Sequence, residues 1–197
     1  HPGGLYLARS RDNDRSMDGG EERSKRPDVW NGIEGATPFW EYGWWGYLGR
    51  DPEFVQAWID RWHGLRQTEL SVAGLTSLVD GIAAQIGGVA AARDAARWPE
   101  NASQVGGTWQ GEIDHMKTWL TRRVTWIDDQ FPRPPTLTVT GGTLTLAPVP
   151  GTQIAYTING TDPRAVGGRV SLAAQLTSTA VTLASSAEVH ARTYRAD

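Results

Sequence analysis

No cysteine occurs anywhere in this chain. Disulfides, thiolate nucleophiles and cysteine-ligated zinc are therefore excluded, and packing, hydrogen bonds and ion pairs must hold the fold. Methionine is scarce too, with two residues, and neither opens the sequence, which begins HPGGLYLARS. That start lacks the basic-then-apolar layout of a secretion signal and reads as a processed or partial chain. No uninterrupted apolar run reaches the roughly 18 residues that a bilayer crossing needs, so no membrane span is expected. An excess of positive charge is also missing. With 19 Lys and Arg against 22 Asp and Glu, the net charge is −3, which argues against a nucleic-acid partner. There is no G-x-S-x-G sequence, so a nucleophile elbow is not expected.

Tryptophan, by contrast, is abundant. All ten lie between Trp30 and Trp126, and the tail beyond has none. A composition break therefore falls near Pro132-Arg133-Pro134-Pro135. We expect a mostly helical portion over 1–131, a Pro-rich linker over 132–135 and a strand-rich module over 136–197, an α+β chain.

The helical portion has clear punctuation. Asp51-Pro52-Glu53 offers a cap, a proline for the first turn and an acid for the helix dipole. Phe54, Val55, Trp58, Ile59, Trp62 and Leu65 then recur at helical spacing as one buried stripe. Ser71 caps a second helix to about Arg97, with Val72, Leu75, Leu78, Val79, Ile82 and Ile86 as its core face and Gly87-Gly88 as a kink. Thr108 caps a third, with Ile113, Met116, Leu120, Val124 and Ile127 on one side, and Pro132 stops it. Residues 39–48 suggest a short aromatic helix in which one of Trp44 and Trp45 faces solvent. Residues 18–38 read as a long loop. From 136 the period changes to two. Leu137, Val139, Leu144 and Leu146 alternate with Thr, and Ile154, Tyr156 and Ile158 form a second such strand, with Ala155 and Thr157 on the opposite face. About sixty residues of this kind make a small antiparallel β-sandwich.

Candidate sites are few. Asp12 and Asp14 place two carboxylates close together, one way to hold a divalent metal such as Mg2+. The same pair is also readable as an exposed acidic turn compensated by Arg11 or Arg15. Asp18, Glu21 and Glu22 read as solvated loop charges. His63 and His115 lie mid-helix with no convergent ligands visible, and Glu112 and Asp114 point to different helix faces, a poor acid/base pair. Asn159-Gly160-Thr161-Asp162-Pro163-Arg164 is a turn signal that sets strand register. Trp58, Trp62, Trp119 and Trp126 lie on or beside the helical stripes and read as core rather than as a binding surface.

Four segments occur in order: DNDRSMDGG, FWEYGWWGYLGRDPEFVQAWIDRWHGLR, TWQGEIDHMKTWLTRRVTWIDDQFPRPP and IAYTINGTDPRAVGG. Together they resemble the C-terminal portion of a CotH-type kinase-like protein followed by a module similar to the chitobiase/β-hexosaminidase C-terminal domain. The resemblance implies a kinase C-lobe-like helical part, an atypical protein kinase using ATP and a divalent metal, and Asp12 and Asp14 as the metal-holding pair. The chain departs from the family pattern at Arg11 and Asn13, where aromatic residues usually flank the carboxylates. Within the sequence, no glycine-rich phosphate loop, nucleotide-anchoring Lys or catalytic-loop Asp is expected, and phosphoryl transfer needs these parts together. The expected role is therefore a non-catalytic piece of an extracellular or cell-surface protein acting in assembly through a protein partner. The C-terminal half of an active kinase is the second reading. A carbohydrate-binding accessory module is the third, weakened by a strand-rich tail whose only aromatics are Tyr156 and Tyr194.

Overall fold

A computed structural model describes residues 16–19, 22–30, 41, 43–101 and 105–195. Helices α1 (Glu22–Lys25), α2 (Trp45–Leu48), α3 (Pro52–Arg66), α4 (Val72–Arg97) and α5 (Trp109–Asp129) come first. Strands β1 (Thr136–Thr140), β2 (Thr143–Ala147), β3 (Gln153–Thr157), β4 (Gln175–Thr177), β5 (Val181–Leu183) and β6 (His190–Tyr194) follow. The α+β expectation holds: helices precede a small antiparallel β module. Contacts divide the chain into two compact units. One joins the residues before 43 to Thr68–Trp126, and the other joins Gly43–Gln67 to the chain from Ile127 onward.

In the first unit, Ser71 caps α4 through its side chain, which accepts from the Gly74 amide at 3.0 Å. The expected kink is present, because Gly87 adopts φ 72°, ψ 152° inside α4. That backbone region is open essentially to glycine alone. The expected core face of α4 is not buried. Val72, Leu75 and Val79 are half-buried, but Leu78 is 60% exposed, and Ile82 and Ile86 are also exposed. The spacing forms a stripe as read, but spacing supplies no partner surface, and none of the described residues covers these side chains. By length and composition α4 could also cross a membrane, although Asp80 sits within it and accepts from Lys117 of α5 at 2.9 Å.

Helix α5 starts as expected. The Thr108 hydroxyl accepts from the Gly111 amide at 3.0 Å. Glu112 reaches back to accept from the Val105 and Gly106 amides at 2.8 and 2.9 Å. Two orphan-prone loop amides are thereby satisfied, a capping-box-like exchange. The turn needs glycine at both sites where the backbone closes on itself: a β-carbon on Gly111 would lie 2.0 Å from the Gly106 carbonyl oxygen. Ile113, Val124 and Ile127 are buried, as the stripe predicts, whereas Met116 lies at the rim.

In the second unit, β1, β2 and β5 form one sheet and β4, β3 and β6 the other. All pairings are antiparallel. Leu146 of β2 and Ile154 and Tyr156 of β3 pack together from opposite sheets, joined by Leu144, Val181, Val189 and Ala191. Leu146 and Ile154 are fully buried, and this interleaving is the sandwich core. Two expectations fail here. β3 is buried along both faces rather than one: Ala155 and Thr157 are as enclosed as Ile154 and Tyr156, while Ile158 is exposed. The period of two survives in the pairing, with Ile154 opposite Thr193 and Ala155 opposite Arg192. On the second face, Ala155 lies in a groove it shares with α3 residues and the 163–170 hairpin, and the Thr157 hydroxyl donates to the Thr161 carbonyl. β1 has the reverse fate, with Leu137 and Val139 both exposed. Trp44 and Trp45 are both exposed and stack on each other, ring centres 4.1 Å apart, so neither enters the core.

Candidate functional site

Asp12 and Asp14 lie outside the described residues, as do Arg11, Asn13 and Glu21. The segment that follows them is described from Ser16, and α5 holds it at three levels. His115 and Asp18 meet at 3.0 Å. One turn on, the Trp119 indole N–H donates to the Ser24 carbonyl at 3.0 Å. A further turn on, the Arg123 guanidinium donates to the carbonyls of Pro27 (3.0 Å), Val29 and Trp30 (3.1 Å). These are positions i, i+4 and i+8, so one helix face carries all three anchors. Arg123 also lies over the rings of Trp30 and Trp126, which meet edge to face at 4.8 Å. Burial pushes the Arg123 pKa down, with Asp28 opposing it. Arg26, hydrogen-bonded to Asp28, holds that carboxyl below its ordinary range.

The solvated-loop reading of Asp18 is thus corrected. Its side chain is largely enclosed and paired with His115. Met17 and Asp18 both adopt left-handed backbone at φ 56° and 63°, a conformation that costs a non-glycine residue energy and persists only where surroundings fix it. Here the Asp18 amide donates to the Ser24 carbonyl at 3.2 Å and the Gly19 amide to Ser16 at 3.1 Å. The sequence offered no signal for this, since His115 and Asp18 are 97 residues apart.

Among the described residues, no group of three His, Asp or Glu side chains converges as a metal site. Glu112 is engaged by loop amides, and Asp114 by Gln110 and Lys117. His63 approaches the Pro132 carbonyl at 3.2 Å.

The second unit contains a groove of about 670 Å3. Its walls are α3 (Pro52, Val55, Gln56, Ile59, Asp60, His63), the 132–134 segment, the 163–170 hairpin, and β6 with Arg195; Ala155 contributes from β3. Arg192 crosses it with a two-sided fork. It donates to Asp60 at 2.7 and 2.8 Å and to Asp162 at 2.7 Å through two nitrogens. Arg164 forks onto Glu53 at 2.6 and 3.0 Å, and the Gly167 amide adds a third bond to Glu53 at 2.8 Å. Planar guanidinium matches planar carboxylate in this way, and charge-assisted pairs of this kind are the stronger hydrogen bonds.

The charges respond accordingly. Hydrogen bonds from Arg192 hold Asp162 below its usual range. Burial pushes Asp60 up, but Arg192 and Gln56 outweigh it, so Asp60 is also lowered. Arg164, helped by Gly167, lowers Glu53. Arg192 is pushed above its ordinary value by Asp162 and Asp60.

The Asn159–Arg164 turn is therefore more than a register device. Asn159 and Asp162 each cap the amide two residues on, at 3.2 and 2.8 Å. The same turn also supplies Asp162 and Arg164 to the α3 contacts. At the other end of α3, Arg66 forks onto Asp128 at 2.9–3.0 Å, and the Trp62 indole N–H donates to the same carboxylate at 2.9 Å. Trp58 packs edge to face on Phe131 at 5.2 Å.

The family described as CotH kinase protein matches residues 6–127, more than half of the 197-residue chain. The chain belongs to the CotH kinase protein family. No curated protein matches it, and no solved structure does.

Proposed function

We propose that this chain is a non-catalytic interaction module of a larger extracellular or cell-surface CotH-like protein, and that it works in assembly with a protein partner. The observation that carries this reading is the treatment of α3. α3, which lies within the family-matched residues, is bound at its Glu53 and Asp60 by Arg164 and Arg192 of the β module, and its own Arg66 binds Asp128 of α5. One helix of the family's sequence thus shares a compact unit with the β module, which suits presenting a fixed surface. The sandwich is proposed to be of the chitobiase C-terminal type, on the strength of the 154–168 segment.

The pair Asp12 and Asp14 is proposed as an inherited carboxylate site with weak affinity for Mg2+, an ion that keeps its waters unless substrate phosphates join it. ATP would bind only with a nucleotide lobe present. Nucleic acid is not a proposed partner, given the net charge of −3. α4 is read as a surface or interface helix rather than a span, because its Asp80 is ion-paired to Lys117 and Gly87 breaks its course. Carbohydrate binding ranks last. Tyr156 is turned into the core with its hydroxyl donating to Gln175 at 2.7 Å, which leaves Tyr194 alone as a stacking face on the strand-rich tail.

The test is ATP with Mg2+ or Mn2+, followed for autophosphorylation and nucleotide turnover. We expect none from this chain. Turnover that disappears in Asp12→Ala and Asp14→Ala would overturn the reading in favour of the C-terminal half of an active ATP- and Mg-dependent protein kinase.

A further inference from the structure

We propose that the groove of the second unit binds an extended acidic segment of polypeptide, with Arg169 and Arg195 as its carboxylate anchors. Five arginines line the groove, against one acid, Asp60. Three of the five already have carboxylate partners: Arg133 with Asp129, Arg164 with Glu53, and Arg192 with Asp60 and Asp162. Arg169 and Arg195 are exposed, and no ion pair or side-chain hydrogen bond engages either among the described residues. A chain that is acidic overall thus concentrates two unused guanidiniums on one concave surface. An unpaired guanidinium presents a planar fork of donors that matches a carboxylate in two bonds.

Three features select polypeptide over other anions. The wall between the arginines is apolar, from Val55, Ile59 and Val170, so a ligand alternating acidic and aliphatic side chains satisfies both surfaces. β6 lines the groove and is the last strand of its sheet among the described residues, the position at which an added extended chain finds backbone partners. Tyr194 is the one Tyr, Trp or Phe among the described lining residues, and the other aromatic ring, His63, already meets the Pro132 carbonyl. Acidic sugars and single-stranded nucleic acids would both draw on more aromatic stacking than this groove offers. This inference gives a partner chemistry to the interaction role proposed above and rests on it. The two still fail separately: turnover of ATP would sink the earlier reading, and the binding assay below decides this one.

The experiment uses the full chain and a short fluorescein-labelled peptide alternating Glu and Val, followed by fluorescence anisotropy. The same peptide with Gln for Glu is the neutral comparison, with oligogalacturonate and triphosphate as competitors. We expect saturable binding of the Glu peptide, at least about tenfold weaker binding of the Gln peptide, and weakening as ionic strength rises from about 0.05 to about 0.3 M. Arg169→Gln with Arg195→Gln should weaken binding by about tenfold or more with no shift in the thermal unfolding midpoint, since neither side chain bonds to another among the described residues. Arg93→Gln, on α4, should leave binding unchanged. Absence of binding at low salt, or equal binding by the double variant, would overturn the proposal. So would equal displacement by oligogalacturonate or triphosphate, which would mark a general anion surface.

Discussion

At the scale of single residues, arginine does the work that cysteine would do in a disulfide-stapled protein. Arg123 satisfies three carbonyls of the 27–30 turn while lying over two indoles. Arg123→Ala strands those carbonyls in a partly buried site and removes the cation–ring contacts, so we expect a loss of about 2–4 kcal/mol in denaturant unfolding. Lys in its place should recover less than half, because one ammonium cannot span three acceptors in fixed geometry. A loss below about 1 kcal/mol would show that the 27–30 turn holds itself. Arg192→Ala should cost less, about 1–2 kcal/mol, since both its carboxylate partners are substantially exposed and screened by water. These arginines were visible in the sequence only as charges. Nothing in spacing pairs Arg192 with Asp60 across 132 residues, or Asp18 with His115 across 97.

At the scale of elements, the legible features were those written in local chemistry. Asp51, Ser71 and Thr108 cap the helices they were expected to cap, and Gly87 breaks α4, because each depends on a few adjacent residues. Burial was less legible. Periodicity fixes which side chains share a face but not whether anything lies against that face. The later half of the apolar stripe of α4 is accordingly exposed, and the polar-looking face of β3 is enclosed. β4 escaped notice because Gln175-Leu176-Thr177 is too short to show a period. Two substitutions separate the cases. Leu146→Ala, from a fully buried position between the sheets, should destabilise the second unit by about 2–5 kcal/mol. Leu78→Ala, on the exposed face of α4, should change stability by under about 0.5 kcal/mol. Comparable losses from both would mean that α4 is covered in solution.

For the whole molecule, acid is the informative variable. Asp60, Asp162 and Glu53 all titrate lower in the folded chain than their ordinary values near 4. Groups with depressed folded values contribute stability that is complete above the unfolded value and is lost as pH falls through the folded one. Stability of the second unit should therefore be flat from about pH 7 down to about 5 and then decline below about 4. Arg192, raised by the same partners, stays charged throughout and adds no slope in that range. In Arg192→Ala the decline below pH 4 should be shallower, read as unfolding midpoints across a pH series. An unchanged slope would place the acid sensitivity elsewhere.

The second unit is also discontinuous along the chain, since Gly43–Gln67 joins residues from Ile127 onward. A ribosome delivers α3 long before the strands that complete its surroundings, with the whole of α4 synthesised in the interval. Until β3, the 159–170 turn and β6 emerge, Glu53 and Asp60 have no arginine to meet. Vectorial synthesis thus leaves a Trp-bearing helix waiting, and closing so long a loop is a slow step in folding. For the same reason, a cut at Pro132 would not release a self-sufficient helical domain. It would discard most of the body to which α3 belongs, so α3 and the strands must be expressed together.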